Sequence, residues 1–228
     1  MPESPRSFCQ VRALVFDLDG TLIDSKLDLA LSVNAALAEL HRAPLPHEQI
    51  YSYVGRGALR LVEQALGDGA DPKEVERGHS FFLRYYRAHM LDHTIAYPGV
   101  REGLEALESS PLAVLTNKPT RFSREILAGL DLAKYFRVIH GGNSFDKKKP
   151  DPVGLLAIVK GFGLKPDQAM LVGDSDIDVQ TARNAGSWVC GVTYGFGSAG
   201  LVKFPPDLLV DSLAELPAYL EGHAVQPR

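Results

Sequence analysis

Asp17 and Asp19 stand one residue apart in the run Asp17-Leu18-Asp19-Gly20-Thr21, directly after the apolar stretch Ala13-Leu14-Val15-Phe16. Two carboxylates this close repel unless a cation or a shared proton relieves them. The pair therefore points to a hard divalent metal, or to a nucleophile with an acid partner. Gly20 follows where the chain must turn tightly. A solvated acidic turn would look the same in isolation, so the surroundings decide. Groups of complementary chemistry recur along the chain: Thr116 with Asn117, Lys149 ahead of Pro150-Asp151-Pro152, and Asp174 with Asp178 in Gly173-Asp174-Ser175-Asp176-Ile177-Asp178.

All but the Lys149 group end an apolar run. Residues 13–16, 112–115, 169–172 and 188–192 are short continuous apolar segments of the kind buried on both faces of a parallel sheet. Residues 100–107, 122–130, 153–162 and 177–185 carry apolar side chains at three- and four-residue spacing and predict helices. Alternation of strand and helix implies an α/β fold, in which ligands sit outside the carboxyl ends of the strands. That is where the polar groups fall. Between Asp24 and Pro98 the strand signal disappears, and Leu27, Ala30, Leu31, Asn34, Leu37 and Leu40 share a helical face. The expected architecture is a Rossmann-like parallel-sheet core over residues 1–24 and 95–228, interrupted by a helical cap over 25–94 that serves as a lid.

Bulk properties narrow the class. With 228 residues and a formal charge of -4, the chain can bury a large core and offers no basic surface for nucleic acid. No stretch approaches the ~20 apolar residues that span a bilayer, and residues 1–10 contain no apolar leader. The only cysteines, Cys9 and Cys190, lack metal or redox spacing, which suits a reducing, cytoplasmic setting. Oligomeric state is left open between monomer and homodimer.

In this order and at these strand ends, Asp17 to Thr21, Thr116, Lys149 and Asp174 to Asp178 resemble the four sequence motifs of the haloacid dehalogenase superfamily. The insert after the first motif resembles that family's small C1-type cap. The resemblance implies a core of HAD type, Asp17 as a nucleophile that forms an aspartyl-phosphate, and Asp19 as the acid that protonates the leaving oxygen and then activates water. The dehalogenase branch typically lacks an Asp at the Asp19 position, so Asp19 favours phosphoryl transfer. Mg²⁺ is the implied cofactor, held by Asp17, the backbone carbonyl of Asp19 and Asp174, with Asp178 behind them. Thr116 and Lys149 would hold phosphate oxygens and neutralise charge, as phosphoryl transfer requires. Gly20 and Asn117 are further candidates for substrate contact.

Within the superfamily, residues 17–25, Val54-Gly55-Arg56-Gly57-Ala58 and Tyr97-Pro98-Gly99-Val100 resemble bacterial phosphoglycolate phosphatases. The implied reaction is hydrolysis of a small phosphorylated metabolite, 2-phosphoglycolate first. Arg56 is the cap cation expected to bind a carboxylate beside the transferred phosphate. A sugar phosphomutase of the β-phosphoglucomutase type, or a phosphatase for an aminosugar or nucleoside phosphate, are the close alternatives. A receiver-like domain that stores phosphate is a more distant one.

Other signals carry less. Asp174, Asp176 and Asp178 have the alternate spacing of a calcium loop, but Val179 and Ala185 stand where Gly and an acid are required. Gly195 to Gly200 matches GxGxxG with no expected helix after it, and predicts a flexible loop at the site's mouth. His41, His47, His79, His89 and His93 lack metal-ligand spacing, and Phe81-Phe82 with Tyr85-Tyr86 predicts a buried helix face.

Overall fold

The computed structural model describes residues 8–221. Most of the leader-free N-terminal stretch expected from the sequence lies outside them. The strands β1 (Ala13–Phe16), β4 (Leu112–Leu115), β5 (Val138–His140), β6 (Ala169–Gly173), β7 (Trp188–Val192) and β8 (Leu208–Val210) form one sheet in the order β5-β4-β1-β6-β7-β8. Every neighbouring pair in it is parallel, and β1 sits between β4 and β6 with Phe16 opposite Val114 and Val172. A central parallel strand must be apolar on both faces, and β1, β4 and β6 are buried at every position.

Alternate residues of these strands feed two cores. Leu14, Phe16, Val114, Met170 and Val172 face α5 (Val100–Ala106) and α6 (Thr120–Gly129), and join the cluster that also holds Leu104, Ile126 and Leu127. Val15, Ala113, Leu115 and Leu171 face α7 (Val153–Gly161) and α8 (Asp176–Ala185), through Leu155, Ile158, Val179 and Ala182. The result is a three-layer α/β core, as expected. The edge strands β5 and β8 extend it beyond the strands predicted from sequence.

The helical insert leaves the core through β2 (Ile23–Asp24) and returns through β3 (Ile95–Ala96), which pair antiparallel with Ile23 opposite Ala96. Between them lie α1 (Lys26–Glu39), α2 (His47–Tyr51), α3 (Ala58–Leu66) and α4 (Pro72–His89). Leu29, Val33 and Leu37 of α1 pack with Leu61 and Val62 of α3 and with Phe82 and Tyr86 of α4. Asp71 caps α4 by accepting from Lys73 N at 2.8 Å, and Pro72 occupies the first turn, where no amide is needed.

Asp28 is buried at 1% exposure inside the insert. Its carboxylate accepts from the backbone amides of His93 and Thr94 and from Thr94 Oγ1, and it contacts His93 Nδ1 at 2.8 Å. The entering helix is thereby tied to the returning segment. A last pair of helices, α9 (Ala199–Lys203) and α10 (Leu216–Leu220), flanks β8. The helix α9 corrects the expectation that none follows Gly195 to Gly200: one turn forms before Pro205 and Pro206 close it off.

Candidate active site

The carboxyl ends of β1, β4 and β6 deliver Asp17, Thr116 and Asp174 to one place, because parallel neighbours in register end side by side. Lys149 reaches in from the loop before α7. Its Nζ lies 2.6 Å from Asp178 Oδ1 and 2.9 Å from Asp17 Oδ1, and the lysine side chain is 3% exposed. The approach to Asp17 is an ion pair without hydrogen-bond alignment. Burial alone would push the Lys149 ammonium down, but Asp17 and Asp178 together hold it above the ordinary lysine range.

Asp17, Asp174 and Asp178 present carboxylate oxygens within 4.8 Å of one another, and all three are buried. Burial pushes the Asp17 carboxyl up to about 6, with Lys149 opposing and Asp178 adding to the rise. Burial, then Asp178 and Asp17, push Asp174 up to about 8. One ammonium does not neutralise three carboxylates, and an all-oxygen cluster with surplus negative charge fits a hard divalent cation. Asp178 is the most heavily engaged of the three: Oδ1 accepts from Lys149, and Oδ2 accepts from Ser175 N at 3.1 Å and Ser175 Oγ at 2.6 Å. Asp17, whose Oδ1 has no hydrogen-bond partner among the described residues, and Asp174, with a single donor on each oxygen, are the less engaged carboxylates.

Asp174 is held by contacts invisible in the sequence. Thr21 Oγ1 donates to Oδ1 at 3.3 Å and Gly197 N donates to Oδ2 at 2.8 Å. Gly20 has φ +84, and a Cβ there would lie 2.4 Å from Asp174 Oδ2. This close approach, together with the positive φ, is why glycine stands at position 20. The Gly20 amide donates to Ile23 O at 2.9 Å, so the part Gly20 plays in this structure is to shape the site. The Gly195 to Gly197 segment likewise packs against Asp174 and is a built wall of the site.

Asp19 turns away from that cluster. Its carboxylate accepts from Ser25 Oγ at 2.5 Å and from Lys118 Nζ at 3.0 and 3.1 Å. Lys118 is buried, and its Nζ lies 4.6 Å from the centre of the Tyr86 ring. Burial opposes its charge, but Asp19 and Tyr86 outweigh burial and hold the ammonium above the ordinary range.

Asn117 is fully committed. Its Nδ2 donates to Gly55 O and Lys149 O, and its Oδ1 accepts from Lys149 N. With both of its Nδ2 hydrogens and its Oδ1 engaged by backbone groups, the side chain positions loops, and any substrate contact at Asn117 falls to its backbone. Arg56 is exposed and does not line the cavity, although Gly55 and Gly57 on either side of it do. The cation that does line it is Lys118. That cavity, about 470 Å³ to its mouth, is also lined by Asp17, Asp19, Thr116, Phe82 and Tyr86.

The family model for haloacid dehalogenase-like hydrolases matches residues 14–192, which contain every motif residue described above. The chain belongs to the haloacid dehalogenase-like hydrolases. Among relatives of this hydrolase, a phosphoglycolate phosphatase of Chromobacterium violaceum is 42% identical over 212 residues, covering 90% of this chain and 95% of the relative. One from Neisseria meningitidis is 40% identical and covers 90% and 92%. A solved structure described as a predicted phosphoglycolate phosphatase from Haemophilus somnus matches with a TM-score of 0.85 at 33% identity, over 91% of this chain and 96% of that one.

Sequence reasoning missed Ser25 and Tyr86 as parts of this hydrolase's site, and took Lys118 only as a neighbour of Thr116 and Gly197 only as part of a loop at the site's mouth. Lys118 carried a signal in its position directly after Thr116-Asn117. Tyr86 carried only a helical spacing that packing explains equally well.

Proposed function

We propose that this hydrolase is a Mg²⁺-dependent phosphatase of small phosphomonoesters, with 2-phosphoglycolate as its first substrate. The observation that carries the reading is the division of its acids: Asp17 lies with Asp174 and Lys149, while Asp19 is kept apart with Ser25 and Lys118. The two carboxylates have separate partners, as two roles require, and a bound divalent cation would keep Asp17 ionised against its burial. The names of the Chromobacterium and Neisseria relatives support the substrate.

In this reading an Asp17 oxygen attacks phosphorus, the P–O ester bond breaks, and Asp19 gives its proton to the departing alkoxide. Asp19 then takes a proton from water, whose oxygen attacks the aspartyl-phosphate. The bond to Asp17 breaks and orthophosphate leaves. Lys149 offsets the charge of Asp17 as an anion meets an anion, and Thr116 donates to phosphate oxygens. Mg²⁺, held by Asp17, Asp174 and the Asp19 carbonyl, would supply charge neutralisation at the phosphoryl oxygens. Asp178 fixes Lys149.

Residues 25–94 act as a cap over a core of residues 1–24 and 95–228, closing on substrate to exclude water. The free thiols of Cys9 and Cys190 suit a cytoplasmic enzyme, working as a monomer or homodimer. Phosphate release across a metabolite panel, with Mg²⁺ and with chelator, tests the assignment. Release is expected to rank 2-phosphoglycolate first and to stop with chelator. A rank below sugar phosphates and pyrophosphate overturns the substrate.

A further inference from the structure

Lys118 and Tyr86 form a polar spot in a wall that is otherwise apolar. Lys118 comes from the loop after β4 and Tyr86 from α4, and both line the cavity that contains Asp17 and Asp19. Around them the wall is built from Leu29, Val54, Leu61, Phe82 and Phe122. The ammonium of Lys118 has three donors, and the two Asp19 oxygens engage it from one side at 3.0 and 3.1 Å. Tyr86 is 1% exposed, and its hydroxyl, within reach of the Lys118 ammonium, has no aligned hydrogen-bond partner among the described residues. A buried hydroxyl left unpaired is costly, so its presence calls for a ligand oxygen.

We propose that Lys118 and Tyr86 bind the carboxylate of the substrate, the acid group that is not transferred. This rests on the phosphatase reading and deepens it. A carboxylate has two oxygens, one for a Lys118 donor and one for the Tyr86 hydroxyl, and both meet it inside a desolvated pocket where charge-assisted bonds are strong. A phosphomonoester without the acid would leave the Tyr86 hydroxyl unpaired and set an apolar or neutral group against the ammonium. Selectivity of this kind comes from the groups a wrong substrate strands. The cation that Arg56 was expected to supply from the cap is thus supplied by the core, and the cap contributes the hydroxyl.

Calorimetry with Mg²⁺ present tests this without turnover. The probes are 3-phosphonopropionate, the non-hydrolysable carbon analogue of 2-phosphoglycolate, and propylphosphonate, which has a methyl group in place of the carboxylate. The wild type is expected to prefer the acid by roughly 100-fold. Lys118→Met should reduce that preference below about 10-fold, and Tyr86→Phe should reduce it by about 5- to 10-fold. Tyr86→Phe removes only the unpartnered oxygen, so its fold should be retained, and a purely structural role would leave the ratio unchanged. A wild type without preference, or a preference untouched by both substitutions, overturns the site. If 2-phosphoglycolate is hydrolysed while both variants keep the wild-type preference, the site falls and the substrate reading stands. If the acid probe binds selectively through both residues while 2-phosphoglycolate is not hydrolysed, the substrate reading falls and the carboxylate site stands.

Discussion

Asn117 Nδ2 donates to the carbonyl oxygen of Gly55 at 3.0 Å, a hydrogen bond from the end of β4 to the loop between α2 and α3. The same amide group holds the backbone of Lys149 from both sides. One side chain therefore joins the core, the lysine loop and the helical insert. Asn117→Ala should strand buried backbone groups at a cost of about 1–3 kcal/mol. Because Lys149 would lose its backbone anchor, turnover should fall as well. Denaturant unfolding and steady-state kinetics on the same preparation check both parts, and unchanged stability would remove the bridging role.

Asp19 is the residue whose environment differs most from that of its neighbour Asp17. Asp19→Asn keeps the shape and can still accept from Lys118, but it cannot move a proton. Turnover should slow by ~10²- to 10⁴-fold, as for loss of a general acid. Substrates whose leaving group needs no proton, such as para-nitrophenyl phosphate, should be slowed less in the first step. Equal slowing of phosphoenzyme formation for both kinds of substrate would count against Asp19 as the acid.

Asp17→Asn should abolish both turnover and trapping of a phosphoenzyme. It replaces a buried carboxylate that burial already disfavours with a neutral group of the same size. The folded state should survive, with circular dichroism like that of the wild type. Substantial phosphate release by this variant would remove Asp17 from the nucleophile role.

The apo protein should lose stability as pH rises. Asp17 and Asp174 have folded-state values of about 6 and about 8, above the ordinary 3.8. Such groups favour folding fully below the unfolded value, and that contribution disappears as pH rises through the folded values. With chelator, the thermal midpoint should therefore fall between about pH 4 and about pH 8, most steeply below about pH 6, with its later part near Asp174's value. Divalent cation should restore more of it at the alkaline end, where both carboxylates are open. A midpoint that is flat or rises over this window with chelator present contradicts the charge balance of the cluster.

How far these features could be read from sequence follows their physics. Central strands buried on both faces must be continuous apolar runs, so β1, β4, β6 and β7 were legible. The edge strands β5 and β8 are three residues each and not fully buried, so neither alternation nor a long apolar run marks them. Asp17, Thr116 and Asp174 were legible because each ends a strand, and Lys149 because it directly precedes Pro150-Asp151-Pro152 ahead of a helix. The Lys118 and Asp19 pair was not, since 99 positions separate them and only the sheet order brings them together. Arg56 and Asn117 show what residue type leaves unsaid: Arg56 is exposed outside the cavity lining, and the Asn117 side chain is bound to three backbone groups.

The insert begins and ends at adjacent hydrogen-bonded strands, Ile23–Asp24 and Ile95–Ala96, whose flanks Asp28 fastens to His93 and Thr94. The chain thus exits and re-enters the sheet through a single gate, with no strand of the sheet threaded between. The helices beyond that gate contribute no strand to the six-stranded sheet, and beyond the gate they touch the core through Asn117 and shared apolar packing. Grafting a foreign helical unit between those two strands is therefore a route to new substrates that keeps the same reaction chemistry beneath it.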